Sequence, residues 1–106
     1  MQRFTAEELI AIRNELPIRW IIESFLGIPA KESEGIFRFV CPKCGEMQTA
    51  VNPKTNLSRC FLCEINFNTL EIVMEDRRID FVHSAKLLQA ELGTLHKAQL
   101  APDNAL

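Results

Sequence analysis

No apolar run in this 106-residue chain approaches the roughly 18 residues that a membrane span requires. Its first ten residues, MQRFTAEELI, hold no apolar stretch of the kind a secretory leader carries, so a cytoplasmic protein with no membrane partner is expected. Glycine is scarce, at four residues, and no glycine-rich phosphate loop is present. No grouping of serine, histidine, carboxylate or cysteine suggests a catalytic centre, so a non-enzymatic protein is expected. His83, three residues after Asp80, reads as a solvated first-turn residue, and His96 has no assigned role. Internal repeats and low-complexity segments are also missing. What remains is an ordinary globular composition, 47% apolar and 25% charged, which argues against wholesale disorder. A chain of this length buries a limited core, so a metal staple would help it.

The net charge of −2 is unevenly spread. Residues 36–63 carry Arg38, Lys43, Lys54 and Arg59 against Glu46 alone, whereas the segments on either side are each net acidic. A basic island between acidic flanks is the pattern of a local anionic partner such as nucleic acid, although chance can also produce it with so few charges.

Helical signals bracket that island. TAEE at 5–8 has capping-box spacing, with Thr5 as cap and Glu8 three residues on, which predicts a helix over about 6–15. Pro17 ends it and suits the first turn of a second helix, in which Ile18, Ile21, Ile22 and Phe25 form one stripe and Gly27 is the stop. IPAKESEGIFRFV reads as two short strands around a glycine turn, the second at 36–40. TAV and LSR fit two further strands around the turn-forming NPKTN. Leu70, Val73 and Met74 then share a helical face behind a cap at Asn66 or Asn68. Asp80 caps a last helix with Phe81, Ala85, Leu88 and Leu92 on one stripe, stopped by Gly93. Residues 94–106 are expected to be a mobile tail. The fold class expected is α+β, a small ribbon of antiparallel strands with helices before and after it. The organisation expected is an N-terminal helix in 1–16, a ribbon domain over 17–93 and the tail over 94–106.

Every cysteine lies within residues 41–63, as two C-x-x-C pairs, Cys41/Cys44 and Cys60/Cys63, with fifteen residues between Cys44 and Cys60. Two residues between paired cysteines let one tight turn aim both sulfurs at a single ion, and a tetrahedron of thiolates suits zinc. Disulfides, buried free thiols and a redox pair are the other readings, disfavoured by a reducing compartment. Pro42 and Gly45 in CPKCG fit a knuckle turn, Gly45 through its tolerance of positive φ. Iron is the rival metal, since CPKCG also resembles a rubredoxin knuckle, but CFLCE lacks the same proline and glycine. Four protein thiolates leave no position for a substrate water, so one structural Zn²⁺ is expected, its binding energy serving as folding energy. With the metal, the site itself would carry −2, which leaves the ribbon only weakly basic.

The order of segments narrows the choice among zinc ribbons. IRWIIESFLGI leads into a hairpin, then CPKC, NPKTNLSRCFLC and NTLEIVMEDRRIDFVHSAKLLQAELG. Over about residues 17–93 this resembles the N-terminal zinc-binding domain of bacterial-type DNA primases, the Cys-His-Cys-Cys type. The step CFLC followed by the helix pair is the most specific part. The chain departs from that pattern at Cys44, where the family usually has histidine. It departs again at MQTAV, in place of a Thr-Pro-Ser-Phe-like stretch, and at EINFN, which lacks the usual glycines. The catalytic region of primases is not within these residues. The resemblance implies a module that engages single-stranded DNA template beside a catalytic primase or helicase protein on another chain, or as one part of a longer primase.

By position and charge, Arg38, Lys43, Lys54 and Arg59 are the candidate nucleic-acid contacts. Phe37 and Phe39 alternate with Arg38; exposed they would stack bases, buried they would pack on the helices and turn Arg38 to the opposite face. Phe61 between the ligands is expected to shield the metal, and Trp20 lies off the main stripe of its helix, at a core edge or a partner surface. A zinc-scaffolded protein–protein adaptor is the alternative function, and a rubredoxin-like iron electron carrier a third.

Overall fold

Thr5 opens the first helix with a reciprocal pair of bonds: its hydroxyl accepts from the Glu8 N–H at 3.0 Å, and the Glu8 carboxylate accepts from the Thr5 N–H at 2.7 Å. The computed structural model describes residues 4–100, and side chains as far as residue 95. Helix α1 spans Ala6–Asn14 and buries Ile12. After Pro17, α2 forms over Ile18–Trp20 and widens into a π-helix at Ile21–Leu26. Gly27, at φ 68°, ends it. The π-turn carries one extra residue per turn. Ile18, Ile21 and Ile22 are buried, and Phe25, the fourth residue of the expected stripe, packs on the core edge partly buried and stacks on Trp20.

Five strands follow: β1 Ala30–Ser33, β2 Ile36–Phe39, β3 Thr49–Asn52, β4 Leu57–Cys60 and β5 Ile65–Phe67. They form one antiparallel sheet in chain order. The β1–β2 turn is Glu34-Gly35, both with positive φ, as a two-residue hairpin requires. Strand β5 is an addition to the four expected strands; at three residues it is too short to show alternation. Helix α3, Thr69–Arg77, is capped by Asn68, and α4 runs over Phe81–Leu100. The architecture is α+β, with helices before and after the sheet.

One apolar cluster joins the layers. Phe37, Phe39, Cys41, Cys60 and Phe67 from the ribbon meet Ile12, Ile18, Ile21, Ile22, Leu70, Ile72, Val73, Ala85, Leu88 and Leu92 from the helices. Hydroxyls stitch the helical layer: Thr69 donates to the Ile12 carbonyl and Ser84 to the Leu70 carbonyl, both at 2.9 Å and buried. Ser84 thus takes an inward position beside Ala85, whereas Phe81, expected on that stripe, is 41% exposed.

The stop expected at Gly93 does not occur. Helix α4 passes through it to Leu100, because Leu92 is buried and Leu95 packs on the core. That packing outweighs the roughly 1 kcal/mol by which an internal glycine disfavours helix. Of the tail expected over 94–106, residues 94–100 are therefore helical, and 101–106 lie outside the described residues. No helix among the described residues is long and apolar enough to cross a membrane.

Candidate metal centre and the sheet face beside it

The two C-x-x-C turns occupy equivalent places. Cys41 and Cys44 connect β2 to β3, Cys60 and Cys63 connect β4 to β5, and both turns fall at one end of the sheet. Each is built the same way. The N–H after the second cysteine returns to the carbonyl of the first, Gly45 to Cys41 and Glu64 to Cys60, both at 2.8 Å. Each of these residues has positive φ, Gly45 at 79° and Glu64 at 59°. In each turn a backbone N–H also donates to the leading sulfur, Lys43 to Cys41 at 3.4 Å and Cys63 to Cys60 at 3.3 Å. Where the first turn has glycine, the second thus has a glutamate held in the left-handed conformation.

The four sulfurs lie within 4.8 Å of one another. Cys41 and Cys63 are 4.0 Å apart, Cys44 and Cys60 3.7 Å. A tetrahedron with metal–sulfur bonds of about 2.3 Å has edges of about 3.8 Å, so the donor set fits one four-coordinate ion. The sulfur separations are far beyond the roughly 2.05 Å of a disulfide. All four cysteines are free. The cluster could therefore hold a metal ion, with Cys41 and Cys60 buried and Cys44 and Cys63 partly open.

Crowded thiols do not ionise alike. Burial works against the Cys60 thiolate, but the Cys63 N–H and the thiols of Cys44 and Cys41 favour it, and Cys60 comes down to about 6. For Cys63, burial and the Cys60, Cys44 and Cys41 sulfurs all push the same way, up to about 12. Cys44 is also raised: the Glu46 backbone N–H favours its thiolate, but burial and the Cys60 and Cys41 sulfurs prevail. Four like charges in one place need a cation, and a divalent metal supplies one.

The sheet beside the centre has two unlike faces. Register aligns Ala30, Phe39, Thr49, Cys60 and Ile65 in one row across all five strands, on the side of the core. The next row, Lys31, Arg38, Ala50, Arg59 and Asn66, lies on the opposite side, with Lys31, Arg59 and Asn66 exposed and Arg38 half-exposed. Arg59 donates to the Asn66 side-chain oxygen at 3.2 Å. Of the four candidate cations, Arg38 and Arg59 share this row. Lys43 sits in the metal turn and Lys54 in the turn after β3, at the other end of the sheet, so the four do not form one cluster. Lys31, in an acidic segment, joins the row through strand pairing that single-residue charge counting does not reveal.

Phe37 and Phe39 take the buried one of their two readings, with Arg38 on the opposite face. Phe37 and Phe39 are 5% and 0% exposed, and the Arg19 guanidinium lies 4.5 Å from the Phe37 ring centroid, so neither can stack a base. Phe61, expected to shield the metal, is 59% exposed. It borders a shallow hollow of about 400 Å³ on the outer face, lined also by Ala50, Leu57, Arg59 and Asn66. On the helical side, Trp20 stacks on Phe25 with centroids 6.2 Å apart and lines an apolar groove of about 310 Å³ with Leu16, Pro17, Glu91 and Leu95.

Compared with known proteins, the chain matches no family model and no curated protein. The likeness to primase zinc domains therefore rests on residue order alone.

Proposed function

We propose that this chain is a non-catalytic zinc-ribbon module that binds single-stranded DNA through the outer face of its sheet, beside a catalytic primase or helicase protein. The observation carrying the reading is the row Lys31, Arg38, Ala50, Arg59, Asn66 with exposed Phe61 next to it. Alanine between two arginines leaves the middle of the face flat enough for a chain to lie across it. Strands stand about 4.8 Å apart, so the row spreads three cations over roughly 14 Å, a backbone-tracking spacing. An exposed ring beside cations is the arrangement that stacks unpaired bases, which favours single strands over duplex. Zinc is proposed over iron because C-x₂-C pairs fifteen residues apart are the two-knuckle zinc pattern. A ferric thiolate protein would be red, and a zinc protein colourless.

Zinc-loaded protein titrated against labelled single-stranded and duplex DNA, at low and moderate salt, tests this reading. Three contacts predict a log–log salt slope near −2 on single strands, with Arg38→Ala and Arg59→Ala each reducing its magnitude by about 0.7. Phe61→Ala should weaken binding by about 1–3 kcal/mol. Wild-type protein that binds no DNA at low salt would reject the reading and leave the protein–protein adaptor, for which the Trp20 groove is the surface to test.

A further inference from the structure

Thr49 occupies an unusual place. It lies between Phe39 and Cys60 in the core-side row of the sheet, is 0% exposed, and its hydroxyl oxygen is the buried side-chain polar atom left without a hydrogen-bond partner among the described residues. An unpartnered buried hydroxyl is costly, whereas valine, of the same shape, would fill the site without that penalty. Its cross-strand neighbour in the same row is Cys60, whose sulfur belongs to the four-cysteine cluster. A hydroxyl hydrogen rotates to suit its acceptor, and a metal-bound thiolate is an acceptor.

We propose that the Thr49 hydroxyl is a second hydrogen-bond donor to the Cys60 sulfur of the loaded metal centre, supplied from the core side of the sheet. The inference rests on the metal-centre reading above. The leading sulfurs of the two turns each receive one backbone N–H, from Lys43 and from Cys63. Thr49 gives Cys60 a further donor on its buried flank, where water cannot supply one. A four-thiolate zinc centre carries a net charge of −2, so each donor that draws charge from a sulfur strengthens the metal complex and blunts that sulfur as a nucleophile. Partners of this kind typically change metal affinity 10–100-fold. A threonine in MQTAV reads from sequence as a strand former; only pairing with Cys60 gives it this role.

The test compares wild type, Thr49→Val and Thr49→Ser. Wild type is first titrated with zinc and with cobalt, to one ion per chain. Zinc affinity is then measured against a competing chelator, sulfur-to-cobalt charge transfer by absorbance, and Cys60 alkylation of the zinc-loaded protein by peptide mapping. The expected result for Thr49→Val is zinc affinity about tenfold weaker, a charge-transfer band moved to longer wavelength, and faster Cys60 alkylation; Thr49→Ser stays near wild type. A merely buried hydroxyl predicts the opposite sign, with valine binding zinc as tightly as wild type or more tightly, and that result overturns the proposal. If Thr49→Val fails to fold, Thr49→Ser decides by itself: a wild-type band and affinity support the donor, and a valine-like loss of folding in serine too overturns it. Wild type that takes up no metal overturns both this inference and the metal reading, whereas a metal-binding wild type with an indifferent Thr49→Val overturns this inference alone.

Discussion

Gly45 and Glu64 are the same residue in two copies of one turn, and only one is glycine. Both hold positive φ and both return an N–H to the leading cysteine. The left-handed region costs a residue with a Cβ about 1–2 kcal/mol, partly offset by the chain entropy that glycine loses on folding. Glu64→Gly should therefore stabilise the metal-loaded protein by about 0.5–1 kcal/mol, and Gly45→Ala should destabilise it by about 1 kcal/mol. Urea unfolding at saturating zinc measures both; a Glu64→Gly protein less stable than wild type would contradict the equivalence of the turns. At this scale the metal ligands are legible in the sequence, because C-x-x-C spacing is a local geometric constraint. The φ of Glu64 is not legible, since it is imposed by the sulfur cluster against the residue's own preference. Nor is the exposure of Phe61, which depends on where the second turn lies relative to the core.

Between elements, Asn56 holds the sheet to the helices. It sits at φ 57° in the β3–β4 turn. Its side-chain oxygen accepts from the Ile18 N–H at 2.8 Å, and its amide nitrogen donates to the carbonyls of Arg13, at 2.6 Å, and Leu16, at 2.8 Å. One side chain thus satisfies the end of α1 and the start of α2 from about forty residues away in sequence. Asn56→Gly keeps the backbone conformation available and removes only these bonds, so the expected loss is about 2–3 kcal/mol, at about 1 kcal/mol for each. Denaturant midpoints at fixed zinc check it, and a change below about 0.5 kcal/mol would show that water replaces the side chain freely. The helix starts at Thr5, Pro17 and Asn68 and the first four strands are visible in sequence because caps, prolines and alternation act locally. The π-turn, the passage of α4 through Gly93 and the fifth strand are not, since each is decided by packing against another element. NPKTN reads only as a turn until α1 and α2 lie beneath it.

For the whole molecule, the metal turns and the basic row belong to one sheet. Cys60 faces the core side while Arg59, its neighbour, faces out, and the strand pairing that aligns Arg59 with Ala50 also aligns Cys60 with Thr49. Loss of the metal would free both turns at one end of the sheet, and with them the register that places Arg38 and Arg59 in a row. The basic island in the sequence marks this region, but not which cations share a face, because that follows from pairing between strands. The central claim is that one metal ion closes the four-cysteine cluster and holds the ribbon folded. Native mass spectrometry of zinc-reconstituted protein tests it most directly, since mass gives the metal count and charge state reports compactness. The account predicts a compact chain carrying one zinc ion, shifting to metal-free, highly charged, unfolded ions on chelation. A compact metal-free chain, or one lighter by the hydrogens of two disulfides, would contradict it.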